Sequence, residues 1–150
     1  MSRVGKKPIT LPKGVEVKVD AAGVHVKGPK GSVSAPVLEG ISVAVKDGRV
    51  DLARASEEKR VRAFHGLNRA LVANAVLGVA EGYKREIDLV GIGYKAEKKG
   101  TEVVFTCGYS HPVRFPEPPG VTIDVAPDAK AKDVTHIVVT GVDKQKVGET

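Results

Sequence analysis

Apolar and polar residues alternate in short runs through the first third of the chain. Val15-Glu16-Val17-Lys18-Val19 has the two-residue period of a half-buried strand. Asp20-Ala21-Ala22-Gly23 predicts a turn into Val24-His25-Val26, and Gly28-Pro29-Lys30-Gly31 a second turn into a short strand around Val33. Ile41-Ser42-Val43-Ala44-Val45 follows, and Asp47-Gly48 closes a hairpin onto Val50-Asp51-Leu52. Short strands joined by tight turns predict an antiparallel sheet.

The period then changes. Ser56 is placed to be an N-cap, with Glu57 and Glu58 in the first turn, where the helix dipole favours negative charge. Val61, Phe64, Leu71, Ala75 and Val79 recur at helical spacing, and the pattern predicts a helix to about Gly78 or Gly82. Its apolar face should cover the sheet, because burying one Phe or Leu contributes roughly 1.5–3 kcal/mol.

The remainder repeats this plan. Val24, Gly28, Val33, Pro36, Gly40, Ile41, Val43 and Val45 find Val104, Gly108, Val113, Pro116, Gly120, Val121, Ile123 and Val125 eighty residues on; Val26 meets Thr106 and alone breaks type. After a seven-residue insertion the match resumes at eighty-seven, Val50 with Ile137, Leu52 with Val139 and Ser56 with Asp143. A period this long is a duplicated small domain, not a solenoid unit. The expectation is an α+β protein of two domains, 1–82 and 83–150, each an antiparallel sheet with one helix on a face. Gly82-Tyr83-Lys84-Arg85 leaves almost no linker between them. Asp143 is the counterpart N-cap, but only seven residues follow it, so the second helix is expected to be truncated and its sheet partly uncovered.

Composition narrows the function. The start is basic and polar, no run is long enough to span a membrane, and the single cysteine, Cys107, excludes an intrachain disulfide and suits a reducing cytoplasm. The charge is uneven: residues 1–82 carry 14 Lys/Arg against 8 Asp/Glu, whereas residues 83–150 carry 10 of each. A basic half points to a polyanion, although many basic faces are merely solvated. With three Tyr, three Phe and no Trp, a nucleic-acid partner would be read by phosphate and shape, as in folded RNA, not by base stacking.

Candidate sites weigh unequally. Gly28-Pro29-Lys30-Gly31-Ser32 lacks the spacing of a phosphate loop and reads as a β-turn, from which Lys27 and Lys30 could still reach phosphate. Gly91-Ile92-Gly93 opens no helix and reads as a bulge or a close backbone approach. Cys107 and His111 share one turn and make no catalytic pair, and the four histidines have no zinc-ligand spacing, so the reading contains no catalytic residue, metal or cofactor. Arg62, His65 and Arg69 fall at i, i+3 and i+7 and predict a polar stripe on the helix. Within it Gly66 costs about 1 kcal/mol relative to Ala. Arg3, Lys6 and Lys7, before Pro8, predict an extended basic arm that orders on a polyanion.

Five ordered segments then carry a resemblance along the whole chain. They are Ser2-Arg3-Val4-Gly5-Lys6-Lys7-Pro8-Ile9, His65-Gly66-Leu67-Asn68-Arg69-Ala70-Leu71, Leu89-Val90-Gly91-Ile92-Gly93-Tyr94-Lys95-Ala96, Gly108-Tyr109-Ser110-His111-Pro112-Val113 and Gly141-Val142-Asp143-Lys144-Gln145. The chain resembles the bacterial large-subunit ribosomal protein L-six family. The resemblance implies two similar domains, no enzymatic activity, no small-molecule substrate and a cytoplasmic place in the large ribosomal subunit. The implied partner is 23S ribosomal RNA near the sarcin–ricin loop and the stalk base. Neighbouring ribosomal proteins and translational GTPases would lie close by. It adds Lys95, Ser110 and His111 to the candidate RNA contacts Arg3, Lys6, Lys7, Lys27, Lys30, Arg62, His65 and Arg69. Family members continue into a basic tail with a Tyr-Lys-Gly-Lys-Gly motif; this chain ends at Thr150 without it. The alternative from the residues alone is a duplicated protein–protein scaffold with an incidental basic face.

Overall fold

The computed structural model describes residues 4–20, 23–127 and 134–150. Arg3, the Ala21-Ala22 part of the predicted turn and most of the insertion in the second copy lie outside the described residues. The chain divides into two compact units, Met1–Gly82 and Tyr83–Thr150.

In the first unit the strands are β1 (Ile9–Thr10), β2 (Glu16–Asp20), β3 (Gly23–Gly28), β4 (Gly31–Pro36), β5 (Ile41–Lys46) and β6 (Arg49–Arg54), followed by α1 (Lys59–Ala80). They form two three-stranded antiparallel sheets, ordered β2-β3-β4 and β1-β6-β5. Asp47 and Gly48 both take positive φ, as a two-residue hairpin between paired Lys46 and Arg49 requires. The helix packs on strands of both sheets and closes a core of Val24, Val26, Val50, Val72, Val76 and Val79, each at most 1% exposed.

Two details of α1, its start and its buried face, differ from expectation, while its end falls between Gly78 and Gly82 as the pattern predicts. It begins at Lys59 with Glu58 as cap residue and no side-chain cap; Ser56 instead accepts from the Glu58 N–H at 3.4 Å, so neither Glu57 nor Glu58 lies in the first turn. It ends at Ala80, where the Gly82 N–H returns to the Gly78 carbonyl and Gly82 takes φ +81°, a glycine stop. The buried face is also rotated from the predicted one. Its members are His65, Asn68, Val72, Ala75, Val76, Gly78 and Val79, while Val61, Phe64 and Leu71 sit half-buried beside it. Two buried polar residues at the head of the stripe concealed it from a purely apolar pattern.

The second unit repeats the topology. β7 (Tyr83–Val90), β8 (Lys95–Lys99), β9 (Glu102–Thr106), β10 (Val113–Pro116), β11 (Val121–Pro127) and β12 (Val134–Gly141) precede α2 (Lys144–Glu149), and the sheets are β8-β9-β10 and β11-β12-β7. The fold is therefore α+β, duplicated, with a six-residue second helix. Asp143 caps α2 by accepting from the Gln145 N–H at 3.0 Å, and Val147 buries over Gly141. The core joins Val103, Val121, Ile123, Ile137, Val139 and Val147. Ile87, paired with buried Ile137 across β7 and β12, stays 51% exposed, so this sheet face is only partly covered.

The offset of eighty fails in one strand. Val24 opposes Ala35 and Val26 opposes Val33, whereas Val103 opposes Phe115 and Phe105 opposes Val113. β4 and β10 keep the offset of eighty, but β3 and β9 match at seventy-nine, because the connection of the second hairpin is one residue longer. A one-residue shift turns a side chain to the other face, so Val103, not Val104, inherits the buried place of Val24.

Lys98 ties the two sheets of this unit together. Its ammonium donates to Glu117 at 2.8 Å and to the Ile123 carbonyl at 2.7 Å, while Glu117 also accepts from the Ile123 N–H at 2.9 Å. The Lys98 hydrogen bond, then that of Ile123, holds the Glu117 carboxyl below its ordinary value. Lys98 is raised, chiefly by its hydrogen bond with Glu117. A lowered carboxyl contributes stability above its unfolded value, near 4.5, that is lost as pH falls through the folded value. A raised ammonium contributes stability that is lost only as pH rises past about 10.5. Glu117→Gln is expected to flatten the fall in melting temperature below pH 4.5. An unchanged acid limb would remove Glu117 from this role.

Candidate nucleic-acid interface

The first half of α1 and the N-terminal segment bring several positive charges together. Arg62 is exposed on the helix surface, and about two turns further along buried Asn68 stands next to half-buried Arg69. Arg69 Nε donates to the Lys7 carbonyl at 3.2 Å, which brings the N-terminal segment onto the helix. That segment is not the extended arm the sequence predicts. The Lys7 N–H bonds the Val4 carbonyl at 3.2 Å, closing a turn, and Gly5 is buried while Lys6 and Lys7 are exposed. The polypeptide turns because Gly5 leaves room to lie flat on α1, where any Cβ would stand 2.5 Å from the His65 ring.

His65 is therefore corrected as a surface contact. It is 3% exposed; its Nε2 donates to the Leu52 carbonyl at 3.0 Å, and its Nδ1 faces Arg54 Nη1 at 3.5 Å. Arg54, with a side chain only 9% exposed, also donates to Glu57. That hydrogen bond lowers the Glu57 carboxyl, and the charges of Arg62 and Lys6 add to the effect. Glu57 thus lies among three cations, Arg54, Arg62 and Lys6, so that Lys6 of the N-terminal turn and Arg62 of α1 act on the same carboxylate. Arg54 was missed by sequence reasoning, since a strand-terminal arginine carries no signal of its own.

Lys27 and Lys30 belong elsewhere. Their turn does not project freely: the Lys30 N–H donates to the Val79 carbonyl at 3.0 Å, and a Cβ on Gly28 would meet that oxygen at 2.6 Å. Both side chains remain exposed, but at the far end of α1. Seventeen residues of helix, about 25 Å, separate Arg62 from Val79.

In the second unit Lys95 opens β8 opposite Thr106, and Ser110 and His111 lie in the loop between β9 and β10. Tyr94 lies between Gly91 and the start of that loop. Its ring covers Gly91, where a Cβ would come within 2.5 Å, and reaches Gly108, 3.7 Å from the Cβ position there. The close neighbour of Gly91 is thus a side-chain ring, not the second backbone considered from the sequence. Tyr109 and His111 stack with centroids 6.1 Å apart, and Tyr109 is 66% exposed. One end of the β8-β9-β10 sheet so offers a cation, a hydroxyl and exposed rings. Among the described residues no group of His, Cys, Asp and Glu is placed to hold a metal ion, and no helix is long and apolar enough to cross a membrane.

The family described as Ribosomal protein L6 matches residues 11–82 and 90–150, one stretch in each unit. The chain belongs to the ribosomal protein L6 family. The large ribosomal subunit protein uL6 of Koribacter versatilis is 53% identical over 150 residues, covering 99% of this chain and 80% of its own length. The protein of the same name from Caldicellulosiruptor saccharolyticus is 47% identical over 148 residues, covering 99% and 78%. That from Roseiflexus is 45% identical over 150 residues. The L6 family is one of structural ribosomal proteins, not enzymes.

Proposed function

We propose that this protein is a structural constituent of the large ribosomal subunit, working in the cytoplasm, that binds 23S ribosomal RNA near the sarcin–ricin loop and the stalk base. Neighbouring ribosomal proteins adjoin it there, and translational GTPases dock nearby. The observation that carries the reading is the convergence of Lys6, Lys7, Arg62 and Arg69 on the first half of α1 in a chain whose relatives bear the name of a large-subunit protein. Flexible ammonium and planar guanidinium groups on a rigid helix suit phosphate oxygens spaced along an RNA backbone. Lys95, Ser110 and His111 supply a second contact area, and Lys27 and Lys30 a third.

Binding to a large-subunit RNA fragment that carries the sarcin–ricin region, measured across a salt series against unrelated folded RNA, tests the reading. Log affinity is expected to fall linearly with log salt, by about 0.7–0.9 per phosphate contact. Weak salt dependence, or equal competition by unrelated RNA, would favour a protein–protein scaffold in its place.

A further inference from the structure

The N-terminal turn rests on one buried imidazole, and this contact explains how two lysines join a helix surface. His65 is held at both nitrogens, Nε2 by the Leu52 carbonyl and Nδ1 toward Arg54. A ring fixed at both ends cannot swing about its bonds to the backbone, so it presents one flat face. Gly5 lies against that face with no space for a methyl group: a Cβ would stand 2.5, 2.7 and 2.8 Å from three ring atoms. Two residues on, the Lys7 carbonyl receives Arg69 Nε. The turn is thus fixed at Gly5 by shape and at Lys7 by a hydrogen bond, and Lys6 and Lys7 point outward between these anchors.

We propose that His65 is a positioning residue: with Gly5 it locks the N-terminal turn on α1, so that Lys6 and Lys7 join Arg62 and Arg69 in one phosphate-binding surface. The proposal rests on the RNA reading above and adds to it a reason for a buried histidine in a basic helix. Side chains left on a mobile arm lose conformational freedom when they bind, whereas anchored ones have lost it already. An apolar residue at 65 would fill the same space but would leave the Leu52 carbonyl without this donor and offer Gly5 no flat ring face.

Two measurements on the 150-residue chain test this. In protein without RNA, a nuclear Overhauser effect is expected between the Gly5 α-protons and the His65 ring. With the large-subunit RNA fragment, Gly5→Ala is expected to reduce the salt slope by about 1.4–1.8, the share of two contacts. It should reduce it no further in a Lys6→Ala/Lys7→Ala background. His65→Leu, which keeps bulk but not hydrogen bonds, is expected to give the same reduction and covers the case in which circular dichroism shows Gly5→Ala misfolded. Absence of the Overhauser effect overturns the lock, whatever RNA does. Its presence with an unchanged slope in both variants, or an additive loss in the lysine-free background, overturns the positioning role. A flat slope in the unaltered chain overturns the RNA reading and the purpose assigned to the lock, while the Overhauser effect still reports the turn itself.

Discussion

Replacing Lys6, Lys7 and Arg62 together with alanine is expected to weaken binding to the large-subunit RNA fragment by roughly 30–150-fold at low salt, since exposed charge contacts contribute up to about 1 kcal/mol each. The salt slope should fall by about 2–3. None of the three side chains is buried, so thermal stability should hold. Arg69 is left intact because its bond to the Lys7 carbonyl also holds the turn. Lys27→Ala/Lys30→Ala is the control at the other end of the helix, and a larger loss there would move the principal contact to the β3–β4 hairpin.

Asn68→Asp carries the largest expected effect on stability. Asn68 is fully buried, and its Nδ2 donates to the Pro36 carbonyl at 2.7 Å, tying α1 to the end of β4. A carboxylate there would lose the donor, set negative charge against a carbonyl oxygen and have no water around it. Burial of this kind raises a carboxyl by roughly 3–5 units, so the group would take up a proton on folding. The cost at pH 7 is about 4 kcal/mol, the free energy of protonating an ordinary carboxyl at that pH. Because the folded form binds the extra proton, stability should recover as pH falls toward 4 and worsen as it rises. Chemical denaturation of Asn68→Asp and the unaltered chain at pH 4.5 and pH 7.5 measures this. A cost independent of pH would mean the side chain escapes to solvent.

The strands were legible because their cues are local. Alternation located β2, β3, β5 and β6, Asp47-Gly48 located a hairpin, and the repeat carried the same plan into the second unit. What required three dimensions was the direction each face takes. Arg62, His65 and Arg69 look like one stripe on a helical projection, yet His65 turns inward because the Leu52 carbonyl and Gly5 are waiting for it. Neither partner lies within ten residues of it, so no window along the helix could reveal them. The hairpin slip is similar: Val103 and Val104 are both valine, and only the pairing with Phe115 says which is inside. For the candidate contacts, exposure of lysines was readable from charge alone, but their grouping was not. The Lys7 carbonyl and Arg69 are far apart in sequence, and so are Lys30 and Val79.

That last bond also fixes the order in which the first unit can be assembled as it is made. All six strands of the unit precede α1, and the inner side of β3 and β4 is complete once Pro36 has been added. Val79, whose carbonyl the β3–β4 turn needs, is joined to the chain much later. At roughly 5–20 residues per second the nascent sheet waits about 2–9 seconds for its cover. During that interval Val24, Val26 and Ala35 face the tunnel exit or a chaperone, and a stall before residue 79 would prolong it indefinitely.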